Sequence, residues 1–278
     1  MRKIVSNLPS LKVLALSVGL ISTSGIALTP SPAHAWGFVG HEYIGHSSYA
    51  YLTDQARNWV DNQLEYLGED SLATSTTWAD RVRGTDAGAG LGPLHFANIP
   101  PHATQFDMQR DCPQRRCVVG AAFDALDVLF DPNQDTGAQA DALRKLTHWI
   151  TDLHQPLHLG FAEDRGGNDI VVLYNDEPHN LHRVWDTLIV IEKDLPTPSE
   201  FAASSPLPAT ADDWYQAIEN WATEANQLAR EYAYNGIEDG QTLSDEYIQN
   251  ARQVIRVQLL RSAQRMAQLI NHAAEINQ

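Results

Sequence analysis

Two histidine–aspartate pairs with helical spacing are the residues of this sequence best suited to chemistry. His148 and Asp152 lie four positions apart in THWITDLHQPLH, and His182 and Asp186 repeat that spacing in NLHRVWD. Residues four apart share one face of a helix, so each pair would point an imidazole and a carboxylate in one direction. Zinc accepts these ligand types in water-activating sites. One such pair is more often a surface hydrogen bond, but two pairs favour a metal site.

Further candidate ligands flank these pairs. Pro156 ends or kinks the helix that carries Asp152, so His158 can turn toward the same pocket. The upstream segments WGFVGHE, WADRVR and PLHF add six candidates: Trp36, His41, Asp80, Arg83, His95 and Phe96. Each of these also has an ordinary structural interpretation, such as a salt bridge for the aspartate and arginine or a core position for the phenylalanine.

Taken together and in this order, these segments resemble the S1/P1 family of zinc-dependent single-strand nucleases. The resemblance extends from Trp36 to Asp186 and includes a tryptophan as the first residue of the mature chain. It implies a first zinc ion held by Asp80, His95, His148 and Asp152. It implies a second ion that shares Asp152 and is held by His41 and by the α-amine and carbonyl of Trp36. It implies a third ion held by His158, His182 and Asp186.

The same resemblance implies a reaction. Asp80, Asp152 and Arg83 would be the catalytic residues, with Arg83 steadying charge on the phosphoryl oxygens. Two divalent ions held close together lower the pKa of a shared water molecule toward about 7, which makes it an effective nucleophile. The substrates would be single-stranded DNA, RNA and nucleotides, and the products would carry 5′-phosphates. A 3′-nucleotidase activity would be compatible with this site.

Phe96 and Asn98 are the substrate-binding residues that the resemblance implies. The family's matching aromatic side chain stacks on a nucleobase, a contact of about 1 to 3 kcal/mol that tolerates any base. A stacked base must first leave its duplex, which favours single strands. The family usually has a carboxylate that reads the base edge where this sequence has Asn98. An amide donates as well as accepts, so the family's base preference is not carried over.

Helical periodicity dominates the chain around these segments. The predicted fold class is therefore mainly α: a single-domain helical fold, like that of the zinc phospholipases C by the same resemblance, with a small β-hairpin. Apolar residues recur three and four positions apart in residues 53–67, 118–130, 139–155, 211–233 and 243–275. The one strand-like run is 170–174, followed by NDEP. Gly-rich or Pro-rich loops are predicted at 84–93, 131–137 and 195–210.

The first 35 residues have the composition of a signal peptide. Arg2, Lys3 and Lys12 precede an apolar run and a small-residue stretch that ends at Ala35. The run is shorter than the roughly 20 residues that a membrane-spanning helix needs. Cleavage between Ala35 and Trp36 would leave a zinc-dependent nuclease domain at 36–278. The location would be secreted or periplasmic, with no stable membrane association, and we expect a monomer.

The two cysteines and the strong excess of acidic residues give further information about the protein. Cys112 and Cys117 in CPQRRC predict a local disulfide in an exported protein, with a zinc site as the weaker alternative. The formal net charge is -16, and three of the 19 basic residues but no acidic residue belong to the leader. Such a surface repels phosphate at long range. Three bound divalent ions would nevertheless make the site locally positive.

Two other functions compete with the nuclease interpretation. A zinc phospholipase C shares the fold, the N-terminal tryptophan and a similar ligand order. That family, however, has a longer gap before its first histidine and a glutamate at the end of its third site, whereas this sequence has His41 and Asp186. A metal-binding or carrier protein without catalysis would need neither Arg83 nor Phe96.

Overall fold

The computed structural model describes residues 36–190 and 195–277. The predicted leader and its cleavage site fall outside these residues. Among the described residues, no helix is both long enough and apolar enough to cross a membrane.

The described chain is mainly helical, which confirms the predicted fold class. The α-helices are α1 (Gly37–Ala50), α2 (Asp54–Leu67), α3 (Leu72–Thr76), α4 (Trp78–Arg81), α5 (Met108–Asp111), α6 (Val118–Leu129), α7 (Thr136–Leu153), α8 (Leu181–Arg183), α9 (Pro198–Ser204), α10 (Trp214–Leu228) and α11 (Asp245–Ile276). Short 3₁₀ helices cover Asp86–Gly88, Gly92–His95, Pro113–Arg115 and Pro156–Leu159. Single π-helical turns cover Val184–Leu188 and Ala229–Ala233.

Helix α7 packs against several of the other described helices. It packs against α2, α3, α6 and α11, and its last seven residues, from Thr147 to Leu153, are all buried. The apolar side chains of Trp149 and Ile150 pack into the core there. The same turns carry His148 and Asp152, so these polar side chains are also buried. Buried ionisable groups require partners, which makes this end of α7 chemically unusual.

The small sheet differs slightly from the predicted hairpin. Strands β1 (Val171–Tyr174) and β2 (Glu177–Asn180) pair antiparallel through a two-residue turn with positive φ at Asn175 and Asp176. Positive φ at both central residues gives the turn a twist that suits a hairpin. Strand β3 (Gln241–Thr242) adds a parallel pairing on the other edge of β1. A two-residue strand leaves no periodic pattern, so it was not expected.

One predicted loop contains a helix. Helix α9 lies within 195–210, where the Pro-rich sequence predicts a loop. The Thr197 side chain accepts a hydrogen bond from the backbone N–H of Glu200, whose carboxylate accepts one in return from Thr197. This capping box, with Pro198 at the first helical position, starts a helix in spite of the local Pro and Ser content. The loop prediction was therefore wrong here.

The predicted disulfide is present. Cys112 and Cys117 are joined in the loop that precedes α6. The backbone N–H of Val118, directly after this loop, donates to the carbonyl oxygen of Phe96 at 3.2 Å. The disulfide loop therefore borders the segment that carries Phe96.

Candidate metal centre

Eight histidine and aspartate side chains from six parts of the chain converge in one buried cluster. All are among the predicted ligands, and their residues are between 0 and 5% exposed. Charged and polar groups at this depth cost free energy unless they are paired or bind an ion. The cluster consists of His41 on α1, Asp80 on α4, His95 at the end of a 3₁₀ helix, His148 and Asp152 on α7, His158 on the next 3₁₀ helix, and His182 and Asp186 after β2.

Asp152 lies at the middle of the first part of this cluster. Its Oδ1 is 3.2 Å from Nε2 of His41. Its Oδ2 is 2.9 Å from Nδ1 of His95 and 3.2 Å from Nε2 of His148. Burial would favour the neutral acid, but the surrounding imidazoles, His148 first, hold the pKa of Asp152 well below its ordinary value. Asp152 is therefore a carboxylate that several nitrogen ligands face.

Asp80 joins this cluster to the guanidinium of Arg83 at its edge. Its Oδ1 is 2.7 Å from Nη2 of Arg83 and 4.0 Å from Nδ1 of His95. The Arg83 side chain is 33% exposed, whereas that of Asp80 is fully buried. The guanidinium thus lies between the buried carboxylate and solvent. This geometry is compatible with both interpretations of Asp80 and Arg83, as a salt bridge and as residues of the site.

His158, His182 and Asp186 form a second part of the cluster. Nε2 of His182 is 3.0 Å from Oδ2 of Asp186, and Nε2 of His158 is 4.0 Å from Oδ1. The two imidazole rings stack with centroids 5.1 Å apart. Burial lowers the pKa of His158 to about 4, which keeps that ring neutral near pH 7. Burial alone would lower the pKa of His182 as well, but the carboxylate of Asp186 raises it.

Backbone carbonyl groups fix the tautomers of three of these rings. A ring nitrogen that faces a carbonyl oxygen must donate its hydrogen, so Nδ1 is protonated and the Nε2 lone pair of the neutral ring points into the cluster. Metal-binding histidines are oriented in this way by their outer contacts. The contacts join Nδ1 of His148 to Thr76 O at 2.7 Å, Nδ1 of His158 to His95 O at 2.6 Å, and Nδ1 of His182 to Gly166 O at 2.7 Å.

The cluster fits divalent cations. Among the described residues, both ring nitrogens of His41, Oδ1 of Asp152 and Oδ2 of Asp186 are buried without a hydrogen-bonding partner. Buried polar atoms in native proteins almost always have partners, so such a concentration needs an explanation. Imidazole nitrogen and carboxylate oxygen together form a donor set that zinc accepts.

Three groups of side chains each bring their possible ligand atoms close together. Within each group, one ligand atom from every residue lies within 4.8 Å of the others. The groups are His41 with Asp80 and His148, His95 with His148 and Asp152, and His158 with His182 and Asp186. The third group is the predicted third set of ligands. The first two divide the remaining residues differently from the predicted sets, because His41 lies near Asp80 and stacks on His148.

Trp36 is anchored beside this cluster. Its side chain is fully buried, and its indole Nε1 donates to the carbonyl oxygen of Thr151 at 3.0 Å. Thr151 directly precedes Asp152, so the start of the described chain is tied to the central turn of the cluster. Gly40 leaves room for the Trp36 side chain, because a Cβ at position 40 would lie 2.7 Å from Cβ of Trp36. The role predicted for the α-amine depends on cleavage after Ala35, which is not among the described residues.

Phe96 and Asn98 lie on the same side of an extended segment. Ala97 N donates to His158 O at 2.8 Å, and Ile99 N donates to Gly160 O at 3.0 Å. Side chains alternate along extended backbone. Ala97 and Ile99 point into the core, whereas Phe96 is 41% exposed and Asn98 is partly exposed. The exposed ring therefore directly follows His95 at the edge of the cluster.

Two further residues, Gln155 and Gly166, support the cluster. Gln155 is fully buried, and its side-chain amide donates to Oδ1 of Asp186. Gly166 has a φ of 66°, and a Cβ there would lie 2.5 Å from the carbonyl oxygen of Leu157. Only glycine fits that position, whose carbonyl oxygen faces His182. Gln155 was not predicted, and its only signal in the sequence is a polar residue between candidate ligands. The contact of the Gly166 carbonyl with His182 leaves no signal in the sequence.

Comparisons with known proteins identify a family for this chain. A family model described as S1/P1 Nuclease matches residues 36–275. Endonuclease 3 of Arabidopsis thaliana is 28% identical over 284 residues, which cover 92% of this chain and 95% of that protein. Endonuclease 4 of the same plant is 31% identical over 269 residues, with coverages of 86% and 89%. Nuclease S1 of Aspergillus oryzae is 37% identical over 175 residues, with coverages of 60% and 58%.

Proposed function

Because the chain belongs to the S1/P1 nuclease family and is thus a hydrolase of phosphodiester bonds in nucleic acids, we propose that it is a zinc-dependent endonuclease specific for single strands. Its products would carry 5′-phosphates, and it would also act on 3′-nucleotides. The observation that carries this proposal is the buried cluster of five imidazoles and three carboxylates, several of whose atoms have no hydrogen-bonding partner among the described residues.

The proposed assignment gives the cluster three zinc ions. Asp152 belongs to two of the sites, in keeping with its two oxygens facing different imidazoles. When bound, zinc supplies Lewis acidity and lowers the pKa of water, so that a phosphodiester can be attacked at neutral pH. The proposed ligands are Trp36, His41, Asp80, His95, His148, Asp152, His158, His182 and Asp186.

Arg83 has a separate role in this proposal. Its guanidinium is held by Asp80 and is partly exposed at the rim of the cluster. A guanidinium binds phosphate oxygens through charge-assisted hydrogen bonds, which are about twice as strong as neutral ones. Arg83 therefore orients the scissile phosphate and stabilises the charge that gathers on its oxygens. Asp80 and Asp152 are the proposed catalytic carboxylates, because they would hold the zinc ions that lower the pKa of water.

Phe96 and Asn98 bind the nucleobase. Their side chains share one face of an extended segment, so a base stacked on the ring can present its edge to the amide. A paired base cannot reach an isolated ring at the rim, which accounts for the preference for single strands. The acidic surface disfavours long-range attraction, so binding energy must come from the site itself.

The alternatives have less support. The family match separates the chain from the zinc phospholipases C, and a pure carrier has no use for the exposed Phe96 ring or for Arg83. For the part of the chain outside the described residues, we propose that 1–35 is a signal peptide removed before Trp36. The domain 36–278 then acts as a monomer, secreted or in the periplasm, without stable membrane association.

The proposal is tested with the authentic 36–278 protein. We expect about three zinc ions per chain and faster cleavage of denatured than of duplex DNA. Activity should disappear with a chelator and return with zinc, and end analysis should find 5′-phosphates. Phosphatidylcholine serves as the substrate for the rival function. Equal cleavage of both DNA forms, or turnover that survives complete removal of metal, would contradict the proposal.

A further inference from the structure

We infer that Gln155 is a positioning residue for the group formed by His158, His182 and Asp186. Its amide fixes the orientation of the Asp186 carboxylate and thereby sets the affinity of this one group for a divalent cation. The inference rests on the proposed metal-dependent function and extends the site beyond its ligands.

The orientation of the Gln155 amide follows from its two partners. Its side chain accepts a hydrogen bond from the backbone N–H of Leu157. Because that N–H can only donate, the atom that faces it must be the amide oxygen Oε1. The other end is therefore the NH₂ group, which faces Oδ1 of Asp186. A carboxylate accepts, so both contacts are satisfied in one arrangement, and the flipped amide would satisfy neither.

The backbone of Gln155 connects the two parts of the cluster. Its N–H donates to the carbonyl oxygen of Asp152 at 3.0 Å, and its carbonyl oxygen accepts from the N–H of His158 at 3.0 Å. Pro156 follows directly and starts the 3₁₀ helix that carries His158. The residue is fully buried. Gln155 is thus held from both sides and can hold the Asp186 carboxylate in place.

This contact decides which oxygen of Asp186 remains available. Oδ1 accepts from Gln155, whereas Oδ2 lies 3.0 Å from Nε2 of His182 and has no hydrogen-bonding partner among the described residues. Rotation about the terminal torsion of an aspartate is soft, so the carboxylate would turn without an outer contact. The amide prevents this and keeps Oδ2 directed toward the histidines.

The effect should be confined to one group. The hydrogen bonds that orient His148, His158 and His182 come from backbone carbonyls, which substitution does not remove. Gln155, in contrast, acts through its side chain. Removal of an outer contact of this kind lowers metal affinity by about 10- to 100-fold. Because the side chain touches Asp186 and not Asp152, only the affinity for one ion should fall.

Two substitutions test the inference in the 36–278 protein. Gln155→Met keeps the size of the side chain but removes both hydrogen bonds. Gln155→Asn keeps the amide but shortens its reach by one methylene. Gln268→Met and Gln268→Asn are the matched controls, because Gln268 is also buried and donates to the carbonyl oxygens of Pro208 and Ala209. Zinc stoichiometry and zinc titration of the metal-free proteins are measured beside thermal unfolding without metal.

The expected result is a selective loss. The wild type and both Gln268 variants should bind three ions, whereas the Gln155 variants should bind two with normal affinity and the third about 10- to 100-fold more weakly. Three ions at wild-type affinity in either folded Gln155 variant would overturn the inference. Loss of all ions together would also overturn it, because that result indicates a general structural role. A wild type that binds no zinc would instead contradict the proposed function.

Discussion

The carbonyl oxygen of His95 lies 2.6 Å from Nδ1 of His158, although the two residues belong to different ligand groups. The imidazole of His95 faces Asp152 at 2.9 Å, so His95 contributes its side chain to one group and its backbone to the other. The position of one ligand therefore fixes the tautomer of another. This contact links the two parts of the cluster, while each part keeps its own set of ligand side chains.

Asp152→Asn should reduce activity more than Asp186→Asn. The Asp152 carboxylate faces His41, His95 and His148 within 3.2 Å, whereas Asp186 lies that close to the imidazole of His182 alone. We expect the first substitution to reduce turnover by more than the roughly 100-fold that loss of an outer contact can cause, and to release more than one ion. Zinc content and turnover of both variants give the order. Equal zinc and equal turnover would mean that Asp152 is not shared.

Phe96→Ala should weaken binding of dinucleotides and single strands by about 1 to 3 kcal/mol, because a stacking surface is lost. The ring is 41% exposed and is not a metal ligand, so zinc content should not change. Tyr66→Ala is the control, since Tyr66 is exposed and its hydroxyl lies beside Gly137 at the start of α7, whereas His148 and Asp152 lie near the other end of that helix. Dissociation constants measured with a non-hydrolysable dinucleotide decide the matter. Unchanged affinity would leave Phe96 with a purely structural role.

Asn98→Asp should change the base preference. A carboxylate only accepts hydrogen bonds, whereas the amide of Asn98 both donates and accepts. Guanine presents two adjacent donors on its Watson–Crick edge, so the variant should favour guanine by up to the roughly 1 to 3 kcal/mol of a bidentate contact. The ratio of kcat/KM values for guanine and adenine dinucleotides measures the change. An unaltered ratio would place the base edge away from residue 98.

Replacing both Cys112 and Cys117 by serine should destabilise the fold by about 2 kcal/mol, as expected for a disulfide that closes so short a loop. A serine at 117 can still cap α6, so the effect should come from the lost cross-link. For a domain of this size the thermal midpoint should fall by roughly 4 to 8 °C. Unfolding of metal-free wild type and variant is compared under oxidising conditions. Identical midpoints would show that the bond contributes nothing.

A methionine retained before Trp36 should disrupt one metal site. Only a free α-amine can bind a metal ion together with its own carbonyl oxygen, because the lone pair of an amide nitrogen is delocalised. An α-amine, with a pKa of about 7.7 to 8.0, releases its proton readily to a divalent ion. The extended protein, with its terminus checked by mass, should hold one zinc fewer and lose most turnover. Full zinc loading and normal turnover would exclude Trp36 as a ligand.

The sequence by itself determined which types of side chain the site contains and where most of the long helices lie. The i, i+4 spacing of His148 and Asp152 places both on one face of α7, because helical geometry is local. The side chains of the second pair are also close together, at 3.0 Å. They are so although His182 lies on α8 and Asp186 lies on the π-helical turn that follows it. The apolar periodicity likewise located α2, α6, α7, α10 and α11 to within a few residues.

Tertiary structure decided which groups meet and how they are oriented. His41 and Asp152 are distant in sequence, and nothing local predicts that their side chains lie 3.2 Å apart. The carbonyl groups that select histidine tautomers are backbone atoms, which no residue type reveals. The contact of Gln155 with Asp186 joins the end of α7 to a turn that follows β2. These features arise from packing between distant segments, whereas residue spacing encodes only what a single helix can bring together.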